Sequence, residues 1–337
     1  MNQPQYFKLF ASCIPIKGSK ESVILDLESA SMFPIPNILL KVLQQNKNRT
    51  VIELKSYFKN NLNNGIDSYF NMFVENNLGF FTNEPASFPD IERVWKSPFK
   101  IINAVVEFSS NSTYSLESCI KQLDGLGCEG VQLRLVGKID FDSFLVQVNA
   151  LKYSRIKYVE IYLDYVNELD EEYLKSIRDL DARVSKIIIY SSPFNKQLDS
   201  IKSYYKDIFY YTEKSITDAS KEIFSFNHFA VNITTYTESR LHNIGLNRKI
   251  CIDQYGGIKN YLSHDRTYGN INDHKMEDII NRSDFKEKWF IHNDKVQKCC
   301  DCQFRYVCVS NSDITFKDGC YTKITQCNFD PYKNTWN

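Results

Sequence analysis

The first third of the chain changes its hydrophobic period once. "YFKLFASCIPI" alternates apolar and polar positions, "SVILDL" is a β-branched run, and "KGSKE" between them reads as a turn; "SASMFPIP" is a third candidate strand. The period then lengthens. Pro36 stands where a first helical position belongs, before "NILLKVLQQ". Thr50, followed three residues later by Glu53, predicts a capping box before "VIELKSYFKNN". "GIDSYFNMFVENNL" places Ile66, Tyr69, Phe70, Phe73 and Val74 on one helical face, with Gly79 as its stop. Strands followed by three short helices predict a winged-helix-like module over residues 1–85.

Three prolines in "NEPASFPDIERVWKSP" mark a linker. From residue 99 strands and helical segments alternate. "IINAVVEF" and "GVQLRLVG" flank "SLESCIKQLDGLGC", "IKYVEIYLDY" follows "DSFLVQVNAL", and "SKIIIYSS" follows "DEEYLKSIRDLD". That rhythm predicts an α/β fold with parallel strands and crossover helices, an open sheet or part of a barrel, over 99–245. The rhythm stops near 246. "KICIDQYGGIKNY" reads as a hairpin around Gly256 and Gly257, and one amphipathic helix, "KMEDIINRSDFKEKWF", precedes a loop-rich tail.

Composition narrows the function classes. The 41 basic and 41 acidic residues cancel, so no overall field draws in nucleic acid or an anionic membrane. The third helix carries Asp67 and Glu75 without a basic residue, which argues against a DNA-reading helix. No apolar run is long enough to span a bilayer, and "MNQPQYFKLFASC" lacks an export signal, so the expected compartment is cytoplasmic. In a reducing compartment, clustered cysteines point to metal rather than disulfides.

Cysteines are indeed clustered. Cys299 and Cys302 form a C-x2-C pair, Cys308 follows, and Cys327 comes later. A C-x2-C turn directs two thiolates at one centre, and two further thiolates complete a set suited to a [4Fe-4S] cluster or a closed zinc site. Ligation energy would also stabilise a tail with little apolar periodicity. Cys320, Cys251 and His274 are weaker candidate ligands. Cys300 lies between two ligands with its side chain expected to point away. Cys13, Cys119 and Cys128 read as small apolar core residues. No Ser/His/Asp order, HExxH, Walker loop or GxGxxG is present.

The run "GNINDHKMEDIINRSDFKEKWFIHNDKVQKCCDCQFRYVC", together with "GGIKNY", resembles the SPASM domains that carry auxiliary iron–sulfur clusters in peptide-modifying radical SAM enzymes. "QCNFDPYKNTW" and "YFKLFASCIPIKGSKESVILDL" are similar to the SPASM-domain peptide maturases of grasp-with-spasm systems, in which such a protein is paired with an ATP-grasp ligase and a ribosomal precursor peptide. The resemblance implies a degenerate partial (β/α) barrel of radical SAM type and a SPASM-like domain over 246–337.

Departures from that pattern shape the expected function. Where the family has C-x3-C-x2-C after the first barrel strand, this chain reads "VVEFSSNSTYSLESC"; Ser109, Ser110 and Ser112 are poor cluster ligands, so no S-adenosylmethionine cleavage is expected. "RLVGKID" stands in place of a GGEP-like cofactor segment. Tyr261 and Ser312 occupy expected cysteine positions, leaving one set, Cys299, Cys302, Cys308 and Cys327. The resemblance further implies that the N-terminal module holds a leader peptide by strand addition. Its third strand, Ser29 to Phe33, with Met32, Phe33, Tyr69, Phe70 and Phe73 as contacts, is the expected place. An accessory protein in peptide maturation that cooperates with an ATP-grasp ligase is the leading expectation. The alternatives are a peptide-modifying enzyme that uses the remaining cluster and a winged-helix nucleic-acid-binding regulator with a zinc tail.

Overall fold

The computed structural model describes residues 5–138, 140–165, 174, 177–179, 181–199, 208–215, 229–325 and 327–336. The first alternating run breaks at a tight turn, so it supplies two strands, β1 (Tyr6–Leu9) and β2 (Cys13–Ile16), where one was expected. β2, β3 (Ser22–Asp26) and β4 (Ser31–Ile35) form an antiparallel sheet in that order. Three helices follow: α1 (Asn37–Asn46), α2 (Val51–Tyr57) and α3 (Asn63–Glu75). Pro36 is the residue before α1 rather than its first turn. The Thr50 hydroxyl accepts from the Glu53 N–H and the Glu53 carboxylate accepts from the Thr50 N–H, the reciprocal pair its spacing predicts.

α3 ends at Glu75 and is terminated by Asn77, which has a positive φ of 55°, and not by Gly79. Gly79 opens a further strand, β5 (Gly79–Thr82), that returns to pair with β1. A Cβ on Gly79 would sit 2.5 Å from the Phe7 ring, so glycine permits that close pairing. On α3, Ile66, Phe70 and Phe73 face the core, whereas Val74 is 38% exposed.

The three-stranded sheet guards both of its edges with proline. Leu27 N–H bonds to Ser12 C=O, which fixes the odd residues of β3 as bonded to β2 and its even residues as bonded to β4. Pro15 and Pro34 are therefore turned outward, where their missing N–H costs no ladder bond. Met32 is left as the one residue of β4's outer edge with an outward N–H. Among the described residues, no backbone hydrogen bond reaches that edge from another segment.

The centre of the molecule is one eight-stranded sheet in the order β10-β11-β9-β8-β7-β6-β12-β13. Six adjacent strands are parallel: β11 (Ile208–Tyr211), β9 (Val184–Tyr190), β8 (Tyr158–Asp164), β7 (Gly130–Val136), β6 (Asn103–Ser109) and β12 (Lys249–Ile252). β10 (Lys196–Asp199) and β13 (Ile258–Lys259) add antiparallel edges. The fold is therefore mixed α/β with a mainly parallel sheet. β12 and β13 join this sheet although the expected domain division at 245/246 precedes them.

Helices α4 (Leu116–Gly125) and α5 (Phe141–Val148) lie on one face of the sheet. There Val106, Leu133, Ile161 and Ile189 pack against Ile120, Leu123 and Phe144. The crossover expected over "DEEYLKSIRDLD" lies largely outside the described residues. A short helix, α6 (Ile233–Ser239), precedes β12. The amphipathic run expected as one helix is broken at Arg282 into α7 (Met276–Asn281) and α8 (Ser283–Lys286), followed by a 3-10 turn. Arg282 leaves helical geometry so that its guanidinium reaches Tyr268 C=O (2.9 Å) and the Asp284 carboxylate (2.7 and 3.0 Å). Among the described residues no helix is long and apolar enough to cross a membrane.

The tail consists of two small hairpins. β14 (Ile314–Lys317) pairs with β15 (Cys320–Lys323), and β16 (Phe329–Asp330) pairs with β17 (Thr335–Trp336).

Candidate metal centre and peptide edge

Cys299, Cys302, Cys308 and Cys327 line a single pocket, with Asn293, Lys298, Arg305, Lys323, Phe329 and Pro331 completing the wall. Each thiol is brought there by a different local device. A 3-10 turn over Cys299–Asp301 closes with a Cys302 N–H bond to Cys299 C=O (3.0 Å), which folds the C-x2-C pair back on itself. Lys298, just before it, has φ 66° and ψ −42°, the rare conformation of a γ-turn and a strained state for a lysine. Its ammonium is held by Cys327 C=O (3.0 Å). Cys308 is fixed by a bridge to Phe229, and Cys327 precedes the β16–β17 hairpin.

Two sulfurs already accept backbone bonds. Phe304 N–H donates to Cys302 Sγ and Phe329 N–H to Cys327 Sγ, each at 3.4 Å. N–H groups aimed at sulfur favour the thiolate, as do the cationic Lys298, Arg305 and Lys323 around the rim. Burial acts the other way and raises the titration of Cys302 and Cys327. Cys302 is also near enough to feel the charge of Cys308, Cys299 and Cys327. Burial thus keeps the protons on Cys302 and Cys327 in the absence of a cation, and binding one would release them.

The donor set fits a metal-containing group held by four thiolates. Among the described residues, no three Cys, His, Asp or Glu side chains are placed to hold one metal ion, although the four thiols ring one pocket. An aromatic train, Phe229 on Phe304 (4.8 Å), Phe304 on Phe329 (5.2 Å) and Phe329 on Trp336 (5.1 Å), reaches the pocket at Phe329, which forms part of its wall.

The weaker candidate ligands go elsewhere. Cys320 lies on β15 with its sulfur toward Lys317 C=O (3.4 Å). Cys251 is fully buried on β12 and donates to Asn260 C=O (3.6 Å), and burial pushes its thiol up to about 11. His274 contacts Asn270 C=O (3.3 Å) in an exposed loop. Cys300 is exposed and takes no part in the pocket wall. Ser109 and Ser112 stitch the loop after β6, Ser112 Oγ accepting from Ser109 N–H (3.0 Å) and donating to Gln254 C=O (2.7 Å).

Positions tied to the absent second cysteine set are packed with protein. Asn311 C=O bonds His264 Nε2 (2.9 Å), and Asn311 Oδ1 accepts from Lys249 Nζ (2.5 Å), which lies over the Tyr261 ring (5.3 Å). Ser312 Oγ accepts from Thr325 N–H (3.0 Å). Burial lowers the titration of His264, which leaves it neutral beside these cations.

The expected peptide contacts divide. Phe70 and Phe73 are fully buried in the N-terminal core, where Phe70 stacks on Phe7 at 4.0 Å, so neither offers surface to a ligand. Phe33 and Tyr69 are partly buried at the margin of that core. Met32 points to the opposite side of the sheet and packs near Phe304, Tyr306 and Val307 of the cysteine loop.

Sequence reasoning missed the second face of the large sheet. Register sets Arg134 between Glu107 and Tyr162. Arg134 is 2% exposed, its Nε donates to Gln132 Oε1 (2.8 Å), and its guanidinium lies over Tyr162 (5.4 Å). Burial raises the Glu107 carboxyl, with Arg134 opposing the shift. The available signal was a polar residue at every second position of strands that sit inside a parallel sheet, where both faces are ordinarily apolar.

No family model and no curated protein matches this chain. Among solved structures, the crystal structure of Streptococcus suis SuiB aligns over 91% of this chain and 94% of its own, at 11% identity and a TM-score of 0.32. SuiB bound to S-adenosylmethionine and SuiB bound to its precursor peptide SuiA align over the same shares at 10% identity, with TM-scores of 0.30 and 0.29. A superposition this loose fixes neither an activity nor a site.

Proposed function

We propose that this chain is an accessory protein of peptide maturation: it holds a precursor peptide along β4 and carries a four-thiolate iron–sulfur cluster in its tail. The observation that carries the reading is the convergence of Cys299, Cys302, Cys308 and Cys327, scattered over two loops, on one pocket. The single C-x2-C knuckle, where a zinc ribbon usually supplies two, favours [4Fe-4S] over zinc. Such a cluster supplies structural anchoring and, where a partner delivers electrons, a redox centre. The chain's own residues prepare for it: Phe304 and Phe329 amides bond sulfur, Lys298 and Lys323 offset thiolate charge, and the Phe329 ring adds an apolar stretch of wall.

Peptide binding is supported by β4's open edge. A guest strand would exchange two bonds with Met32 and give one N–H to Pro34 C=O, so backbone pairing alone supplies little and side chains must supply the rest. Cooperation with an ATP-grasp ligase rests on the sequence resemblance. The serines after β6 favour a role without S-adenosylmethionine cleavage. Anaerobic purification with iron, sulfide and zinc quantification tests the centre: about four irons per chain are expected, and far fewer in Cys302→Ala. Neither iron nor zinc near stoichiometry would remove the reading.

A second reading, a peptide-modifying enzyme, is favoured by one observation, the row of half-buried Glu107 and buried Arg134 and Tyr162 across the large sheet. Product masses from co-expression of precursor and ligase, with and without this chain, separate the two. A mass change beyond the ligase's own water losses, abolished by Glu107→Gln, would select the enzyme.

A further inference from the structure

The turn between β2 and β3 is held by the cysteine loop. Ser19 N–H donates to Asp301 C=O (2.8 Å), inside the C-x2-C pair. Arg305 Nη1 bridges Cys302 C=O (2.8 Å) and Lys17 C=O (2.5 Å). Gln303, 2% exposed, donates to Asn334 Oδ1 (2.7 Å), and Asn334 Nδ2 donates to Glu21 (2.8 Å). Gly18 lies so close that a Cβ there would meet Gln303 Oε1 at 2.8 Å and Glu21 C=O at 2.2 Å. From the turn, the contacts run on to the next element: Asn37 Nδ2 donates to Ser19 C=O (3.0 Å) and Gly18 C=O (3.3 Å). Asn37 is the first residue of α1, two positions after β4 ends.

Apolar packing follows the same route. Ile14, Ile16, Val23, Leu25 and Leu27 of the N-terminal sheet share one core with Tyr306 and Val307, residues between Cys302 and Cys308. Met32 of the open edge packs against this core too. The segment whose shape depends on ligation is thus the floor beneath the peptide edge.

We infer that loading of the four-cysteine centre orders the β2–β3 turn and, through Asn37, the β4 edge, so that metal and peptide favour each other's binding. This rests on the reading of the pocket as a metal centre and of β4 as the peptide edge. Linkage makes the effect reciprocal. Asp301, Gln303 and Arg305 are its positioning residues.

Hydrogen–deuterium exchange on the full chain, loaded and chelator-stripped, tests the inference without any peptide. Stripping is expected to speed exchange about tenfold or more across 17–37 as well as 299–308, a coupling within the usual allosteric range, while β7 and β8 are unchanged. Opening of 299–308 with 17–37 unchanged would overturn it. Metal analysis of the starting protein separates this from failure of the metal reading: a chain without iron or zinc removes both. Asn334→Gly keeps the left-handed backbone (φ 60°) and removes the tie that runs from Gln303 through Asn334 to Glu21. It is expected to retain its metal yet exchange faster across 17–37; wild-type exchange there would likewise overturn the inference.

Discussion

Glu238 is a carboxyl in the wrong medium. It lies on α6 with one oxygen bonded by Asn247 Nδ2 (2.7 Å), and burial raises it to about 7, against Arg248 and Lys249, which oppose the shift. Because the folded value lies above the free value of 4.5, the folded chain holds this proton more tightly. The resulting stabilisation is complete below about pH 4.5 and is lost as pH rises through 7. At full development it is worth at most about 3 kcal/mol. Glu238→Gln keeps an acceptor for Asn247 and cannot ionise. Its urea midpoint is therefore expected to gain on wild type as pH rises from 5 to 8, and parallel pH profiles would contradict this. His242 and His292 nearby are shifted down by their own burial, so neither supplies a compensating charge at neutral pH.

Elements were legible where local chemistry sufficed. Thr50 and Glu53 announced the start of α2 because both partners of the cap lie within one turn, a cap typically worth about 1 kcal/mol. The cysteine spacing announced the C-x2-C turn for the same reason. β5 was illegible, since "GFFT" becomes a strand only through its pairing with β1 across the whole module. The break at Arg282 was equally hidden: the hydrophobic period runs through it, and only Tyr268 and Asp284 draw the side chain out of the helix. Phe70 and Phe73 show the limit for site residues. An apolar helical face reads alike whether it meets a ligand or its own core, and here Phe7 fills the space. The aromatic train beside the cysteines and the Arg305 bridge were invisible because their members are distant in sequence.

At the scale of the molecule, the N-terminal module and the tail are parts of one construction, although more than 200 residues separate them. Arg305 to Lys17 and Asn334 to Glu21 are polar ties, and the shared core of Leu25, Val23, Tyr306 and Val307 is the apolar one. Residues 1–88 produced alone would leave Ile14, Ile16, Val23, Leu25 and Leu27 without their cover. Such a fragment is expected to self-associate and to bind a hydrophobic dye, both measured against the full chain. A monodisperse fragment that leaves the dye dark would show that the module needs no floor.

An unpaired sheet edge faces every other copy of itself. Pro15 and Pro34 each withhold an amide at an outward position, one on either side of the same small sheet. Two molecules meeting edge to edge at β4 would find one donor apiece, too few to start a ladder. The open edge is in this way closed to fibril-like stacking, and each copy keeps its freedom from its own kind.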